Sequence, residues 1–351
     1  MMSGKTREEC LKFLRNEGYI IEPGQKFTVD YFKPEDALGV ARLYYAVYGE
    51  MFPIDYVYDP EAIVSINAGD DLFQAVGRTP RGDVVGLYAL FRSAPGLRIM
   101  EGGSWMVHPD YRKTSVGLRL ARKIHSKPPE HLGLEVIFGQ SVCDHVTSQK
   151  LGKLINGHHC ALEVEPMPPR PGDPDSYGRI SLLDGIVLLN NRHNKVYLPA
   201  RYKSQLKTIY SWLDLDRNFL ESDICDKNQV SASVTEVAVK PVGDAGVVKI
   251  EVESVGADFA ECLAEVEQEY SGIHAYQLIL SLSCPESSFA VETARKSGFF
   301  FGGLLPLWFD KDALLMQKIS KKPDFTRPLI YTEEGKSVLS MVESDWKAIQ
   351  L

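Results

Sequence analysis

The stretch Ser104-Trp105-Met106-Val107-His108-Pro109-Asp110-Tyr111-Arg112-Lys113-Thr114-Ser115-Val116-Gly117-Leu118-Arg119-Leu120-Ala121-Arg122-Lys123 decides how this chain is read. An apolar strand ends at Val107, and Pro109, which lacks an N–H, stops it. A turn with Arg112 and Lys113 follows, and an amphipathic helix opens at about Gly117. Strand, basic turn and helix N-terminus together make an anion site. The first-turn N–H groups have no intrahelical partner, and the helix dipole favours negative charge there. An ordinary β-turn-α crossover shares this outline, so the surrounding chain has to decide between the two.

At 351 residues the chain has room for two or three domains, each with its own core. With 44% hydrophobic and 25% charged residues, it has the composition of an ordinary soluble globular protein. Its 39 basic and 47 acidic residues give a net charge of −8, which argues against non-specific nucleic-acid binding. The local cluster Arg112, Lys113, Arg119, Arg122 and Lys123 is too small for a duplex but suits one phosphorylated small molecule. The first ten residues lack the apolar stretch of a signal peptide, and no apolar run approaches bilayer length. The cysteines at 10, 143, 160, 225, 262 and 284 form no Cys-x-x-Cys pair, which fits reduced thiols. The expectation is a soluble cytoplasmic protein without a membrane or nucleic-acid partner.

Residues 1–26 read as a charged, partly helical lead-in. Phe27–Phe32 alternates as a strand, and Pro34-Glu35-Asp36 opens a helix with Ala37, Val40, Ala41, Tyr44 and Tyr45 on its apolar face. Aromatics crowd the next connection at Tyr48, Phe52, Tyr56 and Tyr58, and a short helix follows Asp59-Pro60. Strands are expected over about 71–77, 83–92 and 97–107, then a helix over 116–126 and a strand over 134–141. A helix over 144–154 and a strand over 160–164 complete the unit. Pro166-Met167-Pro168-Pro169-Arg170-Pro171-Gly172-Asp173-Pro174 reads as a linker. A strand at 180–189 and a helix at 199–215 follow it. From Ser231 the order is strands 233–240 and 246–254, helix 257–270, strand 275–283, helix 286–297, and strands near 299–306 and 312–319. This repeats the second half of the first unit and points to an internal duplication. A last short helix, 335–348, is expected on the outside.

In this order of elements, Val107-His108-Pro109-Asp110-Tyr111-Arg112-Lys113-Thr114-Ser115-Val116-Gly117 resembles the signature of the GNAT superfamily of acyl-CoA-dependent N-acyltransferases. That signature runs Val-x-Pro, an aromatic, then Arg/Gln-x-x-Gly-x-Gly/Ala at a helix start. Val107, Pro109, Tyr111, Arg112 and Gly117 match it, while Ser115 replaces the first glycine at a place of close approach to phosphate. Residues 141–157 resemble the helix before the family's sixth strand. Many members carry there a tyrosine that protonates the departing thiolate; the nearest positions here are Leu151 and Gly152. The resemblance covers 27–165 by motif and 231–320 by element order alone. In the second copy Ser254-Val255-Gly256-Ala257-Asp258-Phe259 has no arginine and carries an acid, so that copy is expected to bind no CoA. The fold implied is α+β or α/β. It comprises two GNAT-like units, each a mixed, mostly antiparallel central sheet flanked by helices. The divisions are a lead-in 1–26, a GNAT unit 27–165, a linker with strand and helix 166–230, a degenerate unit 231–320 and a tail 321–351.

The resemblance implies acetyl-CoA or another acyl-CoA as co-substrate and no metal. Its pyrophosphate would lie on the loop formed by Lys113, Thr114, Ser115, Val116, Gly117 and Leu118, with Arg112 adding charge. The acyl arm would lie beside Met106 and Val107, where an N–H near Met106 polarises the thioester carbonyl. The amine must lose a proton, and Glu101 is the base that the strand upstream supplies; a solvated strand carboxylate is the competing reading. Asp144 or His145 at the next helix start are further options. His158-His159-Cys160 point to alternate faces of a strand and do not make a metal set, and Cys143-Asp144-His145 makes no established nucleophile. The Tyr44–Tyr58 aromatics could be an acceptor wall or core.

The leading function is N-acyl transfer to a small-molecule or protein amine, with a homodimer as a further option. The alternative is a non-catalytic acyl-CoA sensor. A third, from the tandem layout, is transfer from a tRNA or acyl carrier protein donor, against which the acidic net charge argues.

Overall fold

The computed structural model describes residues 5–52, 54–126, 130–169, 178–224 and 226–350. The chain divides into two compact units, one of Met1–Ser93 with Met100–Ile137 and the other of Ala94–Ile99 with Phe138–Leu351.

The first unit runs α1 (Arg7–Glu17), β1 (Thr28–Tyr31), α2 (Ala37–Tyr48), α3 (Pro60–Asn67), β2 (Leu72–Arg78), β3 (Val84–Phe91), β4 (Ile99–Val107) and α4 (Val116–Ser126). Local chemistry sets these limits. Thr6 and Glu9 form a reciprocal capping box at α1, and Gly18 ends that helix at φ 57°. Asp59 caps α3 by accepting the Glu61 N–H at 3.1 Å, with Pro60 in the first helical position. Strands β1 to β4 pair antiparallel in sequence order. The apolar positions of α1 and α2 (Cys10, Leu11, Leu14, Val40, Ala41, Leu43 and Tyr44) join Val76, Leu87 and Met106 in one core. Each such aliphatic side chain contributes about 1.5–3 kcal/mol by leaving water. Within residues 1–26, α1 supplies part of this core.

Helix α4 crosses the sheet through Val116, Leu120, Ala121 and Ile124, all fully buried. It comes close because β2 and β3 present glycines beneath it. A Cβ on Gly77 would stand 2.5 Å from Val116 Cγ2, and one on Gly86 would stand 2.9 Å from Leu120 Cδ1.

The second unit holds most of β5 (Val136–Val142), then α5 (Thr147–Lys153), β6 (His158–Met167), β7 (Ile180–Leu188), β8 (Asn194–Leu198), α6 (Lys203–Leu213), β9 (Arg217–Glu221), β10 (Glu236–Pro241), β11 (Val247–Ser254), α7 (Phe259–Glu269), β12 (Ala275–Ser281), α8 (Ser287–Lys296), β13 (Phe300–Leu305), β14 (Ala313–Ile319) and α9 (Glu333–Ile349). Its main sheet has the order β5-β7-β6-β13-β14-β12-β11-β10, with β8 and β9 a separate parallel pair. The sheet is mixed but mostly antiparallel: β11 and β12 run parallel, while the β10–β11, β12–β14, β13–β14 and β6–β7 pairs are antiparallel. A pattern repeats within it. β7 lies between β5 and β6, and β14 lies between β12 and β13, so in each triplet the last strand inserts between the first two.

The first compact unit closes at Ile137, and β6 pairs with β7 and β13 inside the second unit. Two sequence expectations change. Strands β8 and β9 fall where only a helix was read; both are five residues long, and β9 opens on a charged residue. The linker at 166–174 lies outside the described residues from 170 onward, and Met167 still belongs to β6. The last helix is not an outside appendage. Its Val338 and Val342 are fully buried, and its Asp345 accepts bonds from the Arg295 guanidinium at 2.6 Å, the Tyr202 hydroxyl at 2.8 Å and the Phe301 N–H at 2.8 Å. Among the described residues no helix is long and apolar enough to cross a membrane, and the five described cysteines are free thiols.

Candidate functional site

The turn between β4 and α4 is built to leave donors unpaired. The His108 N–H closes β4 onto Val85 at 2.9 Å, and Pro109–Tyr111 forms one 3-10 turn. Tyr111 is buried and anchors the turn: its hydroxyl donates to the Glu22 carbonyl at 2.7 Å and accepts from the Gln25 N–H at 3.2 Å. Thr114 then folds back, its N–H and hydroxyl both donating to the Tyr111 carbonyl at 2.9 and 2.7 Å. The first helical bond of α4 runs from Arg119 N–H to the Ser115 carbonyl at 2.9 Å. Among the described residues, the N–H groups of Lys113, Ser115, Gly117 and Leu118 take no hydrogen bond in the protein. Arg112, Lys113, Thr114 and Ser115 are exposed.

Two of the five clustered cations have other work. Lys123 pairs with Asp30 at 2.8 Å and lies over the Tyr31 ring, and the Arg119 guanidinium lies over Phe27. No ion pair among the described residues engages Arg112, Lys113 or Arg122. Ser115 is not among the residues with positive φ, so the backbone it adopts suits a serine. The departure from glycine therefore costs no strain at this position. At Gly117 a Cβ would meet only ordinary contact, 3.4 Å from Val107 Cγ2.

Upstream, β4 carries a bulge. The register steps from Leu87 opposite Met106 to Ala89 opposite Gly103, so Ser104 and Trp105 both face Tyr88, and Ser104 sits at φ 48°. The Tyr88 ring stacks on Trp105 at 5.0 Å and 13°, and its oxygen lies 3.1 Å from His125 Nε2. Trp105 Nε1 donates to the Gly117 carbonyl at 3.0 Å. Burial pushes the Tyr88 phenol up and holds His125 at about 4, so the imidazole is neutral at pH 7. On the other side of the bulge, Tyr44 is buried, and that burial pushes its phenol up.

The structure brings Met106, Val107, Arg112, Lys113, Thr114, Ser115, Val116, Gly117 and Leu118 into one continuous strand-turn-helix. The Met106 and Val116 side chains are buried, so these two can contribute only main-chain atoms. Glu101 lies on β4 opposite Phe91, half-buried, and accepts a bond from Ser93 Oγ at 2.6 Å. Tyr44 and Tyr58 belong to the core, with the Tyr58 hydroxyl donating to the Gly49 carbonyl at 2.8 Å.

In the second unit, His145 Nδ1 accepts the Thr147 N–H at 3.3 Å at the start of α5. His158 Nδ1 meets Glu334 at 2.9 Å and His159 Nδ1 meets Thr332 at 2.8 Å, so both histidines tie β6 to the start of α9. The Cys143 and Cys160 thiols are buried, which pushes the pKa of the first up to about 12 and holds the second well above the ordinary thiol value. A nucleophilic thiolate is therefore disfavoured at either place. Among the described residues no group of three His, Cys, Asp or Glu side chains could hold a metal.

Sequence reading missed Tyr88, Trp105 and His125, which meet only through the bulge and the register of β3 with β4. The one local signal was the glycine pair Gly102-Gly103, which makes room for neighbouring rings: a Cβ on Gly102 would lie 2.5 Å from the Tyr88 hydroxyl.

No family model matches the chain, and no curated protein matches it. Solved structures do. An N-acetyltransferase from Staphylococcus aureus Mu50 is 18% identical, matched over 47% of this chain and 99% of its own, with a TM-score of 0.37. The spermidine/spermine N-acetyltransferase SpeG from Vibrio cholerae is 13% identical over 47% of this chain and 93% of its own, with a TM-score of 0.37. The yncA protein of Salmonella typhimurium, solved with its cofactor acetyl-CoA, is 16% identical over 47% and 95%, with a TM-score of 0.38. Each of these neighbours corresponds to about half of this chain.

Proposed function

We propose that the first unit carries an acyl-CoA-dependent N-acyltransferase site, with acetyl-CoA as donor and an amine as acceptor. One observation carries this reading: four unpaired N–H groups at Lys113, Ser115, Gly117 and Leu118 lie in one turn with the unpaired cations Arg112 and Lys113. The set fits a pyrophosphate, since it offers directed donors, helix-dipole charge and a guanidinium together. The bound co-substrate supplies an activated acyl thioester. The chain's own residues do the rest. The end of β4 at Met106 and Val107 lines the acyl arm, and main-chain N–H there stabilises negative charge on the carbonyl oxygen. Glu101 takes the ammonium proton, so that the neutral nitrogen forms the new C–N bond as the C–S bond breaks, and the second proton released from that nitrogen ends on the departing thiolate sulfur. A cytoplasmic setting suits the free thiols.

The chain is further read as a tandem, with a GNAT-like stretch over 27–165 and a degenerate one over 231–320. Support comes from the repeated triplets of the second unit, and from the turn before α7 (Phe259–Glu269). There Asp258 is already engaged, accepting the Thr235 N–H at 2.8 Å and its hydroxyl at 2.7 Å, and the Ala257 N–H is spent on Ala232 at 2.8 Å.

A second reading, an acyl-CoA sensor without turnover, is favoured by Leu151 and Gly152 standing where the family's thiolate-protonating tyrosine would be. Thiol release from acetyl-CoA against a panel of amines separates the two. Turnover supports the transferase, with Glu101→Gln lowering kcat about a hundredfold and leaving acetyl-CoA affinity unchanged. Binding without turnover supports the sensor. No binding at all overturns both.

A further inference from the structure

Trp105 sits where the two ends of the proposed donor site meet. Its backbone occupies the β4 bulge, one residue before Met106, and its indole N–H holds the Gly117 carbonyl at 3.0 Å. That carbonyl and the Leu118 N–H belong to one peptide group, which is planar. Fixing the oxygen therefore fixes the direction of an N–H that takes no bond within the protein. The indole itself has little freedom. Tyr88 stacks on its face at 5.0 Å, and the Tyr88 oxygen is in turn held 3.1 Å from His125 Nε2, in the last turn of the same helix. Tyr88 is 5% exposed, and the other ring nitrogen of His125 is buried without a partner among the described residues. An unpaired buried nitrogen is costly, and the sequence keeps it here in a column that spans β3, β4 and both ends of α4.

We infer that Trp105, braced by Tyr88 and His125, is a positioning residue that keeps the phosphate-binding N–H groups in register with the acyl end of β4. The inference rests on the acyl-CoA reading given above. Such a residue matters only to a ligand that touches both ends. Losing it leaves each end intact and lets them drift relative to one another.

The test compares two donors. Acetyl-CoA spans both ends, whereas S-acetylpantetheine lacks the pyrophosphate and reaches only β4. Trp105→Phe keeps the stacked ring and removes the N–H. It is expected to raise KM for acetyl-CoA about fivefold, to hold kcat within about twofold, and to leave kcat/KM for S-acetylpantetheine unchanged. Tyr88→Phe, which keeps the ring and frees the column from His125, is expected to move the same ratio in the same direction by a smaller factor. Equal losses on both donors would mean a merely structural side chain and overturn the inference, as would no change on either. A wild-type protein that binds acetyl-CoA, with a Trp105→Phe variant that behaves in this last way, sinks only the positioning role. A wild-type protein that fails to bind acetyl-CoA sinks the transferase reading and the positioning role together.

Discussion

Single residues set the terms of the anion turn. Ser115 stands in the place of a signature glycine, yet it needs no left-handed backbone and faces solvent. Ser115→Gly should therefore leave acetyl-CoA affinity within about twofold and lower stability by about 0.5 kcal/mol, through the added freedom of the unfolded chain. Calorimetry of CoA binding and urea midpoints check both halves. His125 makes a second residue-scale case. Its folded pKa of about 4 lies below the ordinary value of 6.5, because burial disfavours the imidazolium. Between those pH values the unfolded chain holds a proton that the folded chain does not. Stability thus rises with pH across the window, is complete above 6.5, and falls away toward 4. The amount is on the order of 3 kcal/mol. Urea unfolding of His125→Gln at pH 4.5 and 7 should show a shallower difference than the wild type. His159 and His274, also held at about 4 mainly by burial, keep part of the slope in the variant.

At the scale of the element, the question is what lets the N-terminus of α4 (Val116–Ser126) reach the plane of β4 (Ile99–Val107). The answer lies under the helix. Val116 seats on Gly77 and Leu120 on Gly86, positions where any Cβ would collide. Gly77→Val should lift the first turn, cost about 1–3 kcal/mol of stability, and weaken CoA binding more than tenfold. A variant that lost stability but bound CoA normally would show that the turn tolerates displacement. The helix itself was legible, since its residues 116–126 follow from apolar spacing after a basic turn, and the structure places it there. Its seating was not legible, because nothing in one segment says which glycines of two earlier strands lie beneath it. The same limit hid β8 and β9. Arg217 lies in a stretch where no strand was read, yet its side chain is 1% exposed and pairs with the fully buried side chain of Asp312 at 2.6 Å, a partner that is 95 residues away.

For the whole molecule, the consequence is one of stoichiometry. The unpaired N–H turn with free cations occurs in the first unit. The turn before α7 (Phe259–Glu269) spends its Asp258 carboxylate and its Ala257 N–H internally. One CoA per chain is therefore expected, with Arg112→Glu abolishing essentially all binding. Isothermal titration reads both, and a second equivalent that survives Arg112→Glu would place a further site in the second unit.

The sequence by itself determined the strand-turn-helix of 104–123 and the order of most elements. These depend on spacing, prolines and charges within a few residues of one another, and local physics acts at that range. Only the tertiary structure decided where the compact units divide, that α9 (Glu333–Ile349) is part of a core, and that His158 and His159 bond the start of that helix. It also decided that Trp105 closes on Gly117 beneath a tyrosine and a histidine. Those outcomes rest on contacts between segments far apart in the chain. A bulge of one residue or a glycine under a helix changes which side chains meet without leaving a periodic trace.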